Sequence, residues 1–400
     1  MAEGGRRDRG ERGAGSRVQH RQPDRRLGKR SSPCPPTHLN RPWLVTHGRM
    51  PHNAARERTM ESVPFLTDLA SRRRLFEIRA DYLELLRAYF RSRNFLEVDA
   101  PFLVPAAGME PHLDAFEVRG WATGARALLP TSPEFYLKKL LASGVERCFA
   151  LAPAFRDEAP GRGHSREFLM LEWYRAGEGL DAILRDCAQL LEEAGQRFLP
   201  GGLLDREGGR CDLTAGLEVL GLDEAYSRFA GGDWKELASP EAWRERARHF
   251  GASATEAWSE NDCFSFLMVS AVEPSLAGFG RPVALMGYPA FQAALARLRP
   301  EDRRVSERFE LYAGGVELAN AYDELTDAAE LRKRFQTYQS ERIAAGKPPH
   351  PEDSQFMEAV GNLPPCSGIA LGADRLLALL LDEPVARIRH GCEGIEREKG

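Results

Sequence analysis

The sequence predicts an α+β fold organised around a largely antiparallel sheet flanked by helices. Three observations carry this. Residues 148–174 alternate with period two on both sides of a Pro/Gly-rich bend, as an antiparallel hairpin with a long loop does. Residues 309–325, FELYAGGVELANAYDEL, read as strand, Gly-Gly turn, strand. Helical stretches before, between and after these hairpins alternate with them irregularly, unlike the regular succession of a parallel sheet.

Taken in order, RRRLFEIRADYLELLRAYFRSRNF places Ile78, Tyr82, Leu85, Leu86, Tyr89 and Phe90 on one helical stripe. Asn94 ends it, and LEVDAP continues as an extended segment. TSPEFYLKKLLASG is a second helix, with Thr131 or Ser132 as cap, Pro133 in the first turn and Gly144 as the stop. Parity then sorts the 148–174 hairpin. One face carries Cys148, Ala150, Ala152, Ala154, Arg156 and Glu158 opposite Phe168, Met170, Glu172 and Tyr174; the other carries Phe149, Leu151, Phe155, Leu169, Leu171 and Trp173 and is core. The first face has a floor of small side chains with charges at its rim, which leaves room for a bound molecule. LDAILRDCAQLLEEAGQRF and NDCFSFLMVSAVEPSL are further helices. Finally GIALGADRLLALL is a short buried strand, Gly372, and a helix with Asp374 and Arg375 in its first turn.

Composition narrows the function. With 42% hydrophobic and 28% charged residues the chain is globular. The longest apolar stretch, residues 368–381, is broken by Asp374 and Arg375, which predicts no membrane anchor. The seven cysteines are scattered without CxxC or HExxH spacing, so neither a metal centre nor a disulfide framework is expected, and a reducing cytoplasm is the default compartment. Residues 1–58 hold fourteen Arg/Lys against five Asp/Glu, net +9, leaving −13 for the rest of a chain whose total is −4. Rich in Arg, Gly and Pro, residues 1–60 are expected to be a disordered extension, read as an extended or mis-assigned start, an RNA-binding arm or a targeting peptide. Residues 61–385 are expected to form the catalytic domain and 386–400 an atypical tail.

Chemistry is expected where charges interrupt the sheet. Arg156 and Arg375 sit at element ends beside small residues, where a guanidinium can grip carboxylate or phosphate; the alternative is ion pairing with Glu158 and Asp374. Glu310 and Glu317 could hold Mg²⁺ or simply form a solvated edge. Strand parity points Glu317 away from Asn320, Tyr322 and Glu324, so the four converge only across a bulge. Glu134 complements a helix dipole, whereas Glu172, between Met170 and Tyr174, needs a cationic ligand or partner. Phe168 could stack on a flat base or belong to the core. No Walker loop, GxSxG or Cys/His pair is present, so positioning and charge stabilisation are expected rather than covalent catalysis.

Together these segments resemble a class II aminoacyl-tRNA synthetase core of the lysyl type. The first helix and strand, ending at Pro101, look like motif 1; FRDE with the loop to HSREFLMLEWY looks like motif 2; GIALGADRL looks like motif 3. TSPE precedes motif 2 and FELYAGGVELANAYDEL precedes motif 3, in the order of that family. The resemblance covers about residues 70–381 and is strongest to the short paralogues that attach lysine, preferentially β-lysine, to a lysine of translation elongation factor P. Lysyl-tRNA synthetases carry an anticodon-binding OB-fold before motif 1, whereas here about seventy low-complexity residues precede it, and Ala370 matches the paralogue where the tRNA enzyme has glycine.

The resemblance implies a six- or seven-stranded antiparallel sheet, a homodimer formed through motif 1, and a cytoplasmic enzyme using ATP and Mg²⁺. By position, Arg156 would meet the α-phosphate and the reacting carboxylate, Glu158 and His164 the nucleotide, Phe168 the adenine, and Arg375 the γ-phosphate. Glu310 and Glu317 would hold Mg²⁺; Glu134, Glu172, Tyr174, Asn320, Tyr322 and Glu324 would meet the amino groups of (R)-β-lysine or lysine, with Ala370 shaping their pocket. The reaction implied is formation of an aminoacyl-adenylate and transfer to the factor's lysine. Other acceptors, such as tRNA or a free amine, and a catalytically silent binding module are the alternatives. Asp157, Gly163 and Ser165-Arg166 stand where the family usually has Asn, Tyr and Asn-Pro, and HGCEGIEREKG departs from its apolar ending.

Overall fold

A computed structural model describes residues 69–389 except 160, 162, 207 and 208. The extension expected over 1–60 and most of the C-terminal tail lie outside the described residues.

Helix α1 (Arg73–Arg91) buries Tyr82, Leu86, Tyr89 and Phe90, four members of the expected stripe. It stops where Asn94 takes a left-handed φ of 61°, and β1 (Leu96–Glu97) follows. A small separate hairpin, β2 (Glu117–Arg119) and β3 (Arg126–Leu128), precedes α2 (Glu134–Ala142). Of the two candidate caps it is Ser132 whose hydroxyl accepts the Glu134 N–H at 2.9 Å; Thr131 donates to the Ala107 carbonyl instead. Gly144, at φ 101°, ends the turn after α2.

The hairpin β4 (Arg147–Phe155) and β5 (Glu167–Ala176) has the predicted parity, with Ala154 opposite Phe168, Ala150 opposite Glu172 and Cys148 opposite Tyr174. Next come α3 (Leu180–Phe198), the hairpin β6 (Leu203–Arg206) and β7 (Gly209–Asp212), and β8 (Glu218–Gly221). A helical module follows: α4 (Leu222–Phe229), α5 (Pro240–His249), α6 (Glu260–Leu267), a π-helical turn, and α7 (Glu273–Leu276). The chain returns through β9 (Val283–Met286), β10 (Arg308–Ala313) and β11 (Val316–Asp323), then α8 (Ala328–Ala344) and α9 (Ser354–Val360). β12 (Cys366–Gly372), α10 (Ala373–Leu381) and α11 (Val385–Ile388) complete the described chain. α11 crosses the expected boundary at 385/386, and its Ile388 is buried in the main core.

The large sheet has eight strands in the order β1-β4-β5-β12-β11-β10-β9-β8. This exceeds the six or seven antiparallel strands expected: the inner six are antiparallel, and β1 and β8 add in parallel at the two edges. One face packs α1, α3 and α10 against Phe149, Leu171, Trp173, Ile369 and Leu371. The opposite face packs α2, α8 and α9 against Cys148, Ala150, Ala152 and Tyr174, and the α4–α7 module forms its own core against β8 and β9.

Registers across the opposite face bring distant residues into rows. Ala150, Glu172, Ala370, Asn320 and Glu310 stand side by side on five strands. Cys148, Tyr174, Gly368, Tyr322 and Arg308 form the next row. The bulge that parity demanded is present: Leu311 pairs with Ala319 but Tyr312 pairs with Glu317, so Leu318 is the extra residue and Glu317 turns onto the side of Asn320.

Candidate active site

At one end of this face lies a cleft of about 630 Å³, its open mouth included, bordered by Arg156, Glu158, His164, Phe168, Glu317, Asn320, Ala370 and Arg375. Arg156 follows the end of β4, and its guanidinium carbon lies 5.2 Å from the centroid of the Phe168 ring. Its buried Nε has no hydrogen-bond partner within the protein and is left to bond something from outside the chain. Glu158 faces His164 at 3.5 Å rather than Arg156. Arg375 likewise does not pair with its neighbour Asp374: it donates to the Glu317 carbonyl at 3.0 Å and lies 3.8 Å from the Glu317 carboxylate. Asp374 points the other way, taking Arg79 at 2.5 Å and the Leu169 N–H at 2.7 Å. It ties α10 to α1 and β5 and leaves the next residue, Arg375, facing the cleft.

The acids on the β10–β11 hairpin are unequal. Glu310 is buried and bonded by Arg308, by Tyr288 at 2.5 Å and by Tyr312 at 2.6 Å. Glu317 is half-buried and accepts the Asn320 amide at 2.8 Å, while the Asn320 oxygen accepts Arg308 at 2.7 Å. Burial and then the neighbouring Glu310 raise the Glu317 carboxyl. Burial, Glu310 and Glu317 together push Glu273 up to about 7. Three acids thus lie close together here, with Arg308 on Glu310 and Arg375 3.8 Å from Glu317. Among the described residues no three His, Cys, Asp or Glu side chains converge as a protein-only metal cage, but Mg²⁺ characteristically takes only one or two carboxylates and leaves its other positions to phosphate and water.

At the other end of the same face is a buried polar cluster, the acid pocket. Glu172 is fully buried, its carboxyl accepting Ser132 at 2.5 Å and Tyr174 at 2.9 Å. Burial, reinforced by Glu134, pushes it up to about 8. Glu134 and Glu324 are buried alongside, and burial raises both. Between them is Lys138, 2.5 Å from each, with both Glu324 oxygens lacking a donor in hydrogen-bond geometry. Gly368 makes this packing possible, because a Cβ there would lie 2.2 Å from the Tyr174 ring and 2.8 Å from the Glu324 carboxylate. Tyr322 is half-buried, its ring 5.7 Å from the Arg308 guanidinium carbon.

The fourteen site residues named from sequence thus fall into two groups. Arg156, Glu158, His164, Phe168, Ala370 and Arg375 border the cleft with Glu317 and Asn320, and Glu310 stands behind them in the row of Asn320. Glu134, Glu172, Tyr174 and Glu324 form the pocket, with Tyr322 in the row of Tyr174. Asn320, expected at the amino groups, is engaged instead with Glu317 and Arg308. Sequence reading missed Lys138 and Arg308. Lys138 stands four residues after Glu134, a spacing that signals an ion pair on a helix.

A family model described as tRNA synthetases class II (D, K and N) matches residues 66–389. An elongation factor P–(R)-β-lysine ligase of Proteus mirabilis (strain HI4320) is 37% identical over 310 residues, covering 76% of this chain and 90% of the relative. The chain belongs to the elongation factor P–(R)-β-lysine ligase family of class II synthetases. Ligases of the same description from Hamiltonella defensa (37% over 308 residues, 75% of this chain and 89% of the relative) and Klebsiella pneumoniae subsp. pneumoniae (36% over 310 residues, 76% and 90%) agree. In this ligase-family core the described cysteines, Cys148, Cys187, Cys211, Cys263 and Cys366, are free and buried. Among the described residues, no helix is long and apolar enough to cross a membrane.

Proposed function

We propose that this chain activates (R)-β-lysine or lysine with ATP and transfers it to the ε-amine of a specific lysine of translation elongation factor P. The observation that carries the reading is one sheet face bearing an arginine-lined cleft at one end and three buried carboxylates at the other. A substrate lying along that face has its carboxylate beside Arg156 and its ammonium groups among Glu134, Glu172 and Glu324.

In the first step the amino-acid carboxylate attacks the α-phosphorus of ATP; a P–O bond forms, the α–β bridge breaks and pyrophosphate leaves. Arg156 offsets charge on the five-coordinate phosphorus, and Arg375 that on the terminal phosphate. Phe168 offers a flat face to the adenine, with Glu158 and His164 over the nucleotide. Glu317, with Glu310 beside it, would hold Mg²⁺, which supplies charge neutralisation to the phosphates. In the second step the factor's amine attacks the adenylate carbonyl, the C–O bond to phosphate breaks, AMP departs and the amine loses its proton. Exposed Leu96, Phe102 and Leu103, around the segment resembling motif 1, support a homodimer through that surface. A translation factor as acceptor puts the activity in the cytoplasm.

Exchange of labelled pyrophosphate into ATP tests the activation step. The reading predicts exchange dependent on lysine or β-lysine and Mg²⁺. Exchange with neither amino acid would leave a binding module; exchange without modification of the factor would favour another acceptor.

A further inference from the structure

Lys138 has no role in the chemistry described above, yet its side chain is only 2% exposed. A buried ammonium is costly unless paired, and this one takes two of the three acids of the amine pocket, Glu134 and Glu324, each at 2.5 Å. Burial works against its charge, but those two carboxylates outweigh that and hold the Lys138 pKa above its ordinary value.

We propose that Lys138 is the internal counter-ion that matches the amine pocket to a substrate with two ammonium groups. The inference rests on the diamino-acid reading above. Three buried carboxylates and one buried ammonium leave a deficit of two positive charges when every acid is ionised, which lysine or β-lysine fills. A monoamino acid leaves one of the three acids without a cation, so that acid must keep its proton. Without Lys138, even the diamino acid leaves one acid in that state. Glu110, at the rim, is half-buried and takes the Met109 N–H at 3.1 Å, so water screens it and it stays outside the balance. Lys138 lies 2.5 Å from Glu324 Oε2 while Oε1 has no hydrogen-bond partner, so Lys138 neutralises that residue without saturating it, and Oε1 is left for a ligand ammonium. Lys138 is a positioning residue, acting on the substrate through Glu134 and Glu324.

Calorimetry on the full chain with L-lysine and with ATP, beside pyrophosphate-exchange kinetics, tests this in Lys138→Met, which keeps most of the apolar stem, and in Lys138→Gln, which keeps donors without charge. The expected result is a loss of lysine affinity of about 10- to 100-fold in either variant, as for a lost charged partner. ATP affinity stays within about two-fold, and the loss enters KM for lysine more than kcat. Wild-type lysine affinity in a folded variant overturns the proposal, as do parallel losses of ATP and lysine binding. Failure of both variants to fold assigns Lys138 to folding alone and overturns it too. A wild-type protein that binds no lysine instead refutes the reading of function, a result distinct from any of these.

Discussion

The cleft and the amine pocket share one face of the same strands but recognise by opposite means. On β5, Phe168 and Met170 border the cleft, whereas Glu172 and Tyr174, a few residues on, wall the pocket. The cleft is open, and its arginines are held by backbone carbonyls or stacked on an aromatic ring. The pocket is buried, its acids bonded by hydroxyls or neutralised by Lys138. The cleft thus offers cations to anionic groups, and the pocket offers acids to cationic ones. Substitutions in the pocket should therefore spare ATP.

The largest effect is expected from Arg156→Ala, which should lower the rate of pyrophosphate exchange by about 10²- to 10³-fold, the range for losing one preorganised charge-stabilising donor. Calorimetric lysine affinity should fall less than the exchange rate, by about 10-fold, since Arg156 also meets the substrate carboxylate. Glu324→Gln should weaken lysine binding by about 10- to 100-fold while ATP affinity holds; equal losses of both ligands would erase the distinction between the two ends.

Next in size is a pH effect centred on the pocket. The Glu172 carboxyl, raised from 4.5 to about 8 by burial and then by Glu134, keeps its proton in the native state over a range where the unfolded chain releases it. Its contribution to stability is therefore full below about 4.5, falls as pH rises toward 8 and levels off above, by at most about 1.4 kcal/mol per pH unit. Melting curves of the ligand-free protein at pH 6 and pH 8 should show this loss, and Glu172→Gln should reduce it, the remainder coming from Glu324, raised to about 8, and Glu273, raised to about 7. Binding of a dication favours the ionised acid, so lysine affinity should climb across the same window. The smallest effect is expected from Gly163→Tyr: a Cβ there meets nothing within 4 Å, so the ring has room over the cleft and should lower KM for ATP by roughly two- to ten-fold, as a single aromatic contact does.

Much of this was legible in the sequence because period and parity are local. The α1 stripe, both faces of the β4–β5 hairpin and the Gly-Gly turn at 314–315 follow from spacing alone, and the motif order brought the site residues together. What was not legible depends on pairing between distant segments. The strand in LEVDAP was read, but not its parallel pairing with β4, which leaves a ladder only two residues long; β8 was missed, its partner β9 lying beyond the whole helical module. The bulge at Leu318 was recognised as necessary but could not be located, since it arises from how β11 meets β10. Lys138 was hidden because its second partner, Glu324, is far away in sequence. The alternative of an Arg375–Asp374 ion pair could not be ruled out locally for the same reason, since Asp374's partner Arg79 lies on α1.

The central claim is that one face joins nucleotide and diamino acid for delivery to a protein amine. Intact mass spectrometry of translation elongation factor P, after incubation with this chain, ATP, Mg²⁺ and (R)-β-lysine or lysine, tests it most directly. The account predicts a mass gain of one lysyl residue, on a single lysine of the factor, that disappears without ATP and is severely reduced with Arg156→Ala. A factor of unchanged mass with both amino acids, while the chain binds ATP and lysine normally, would contradict it.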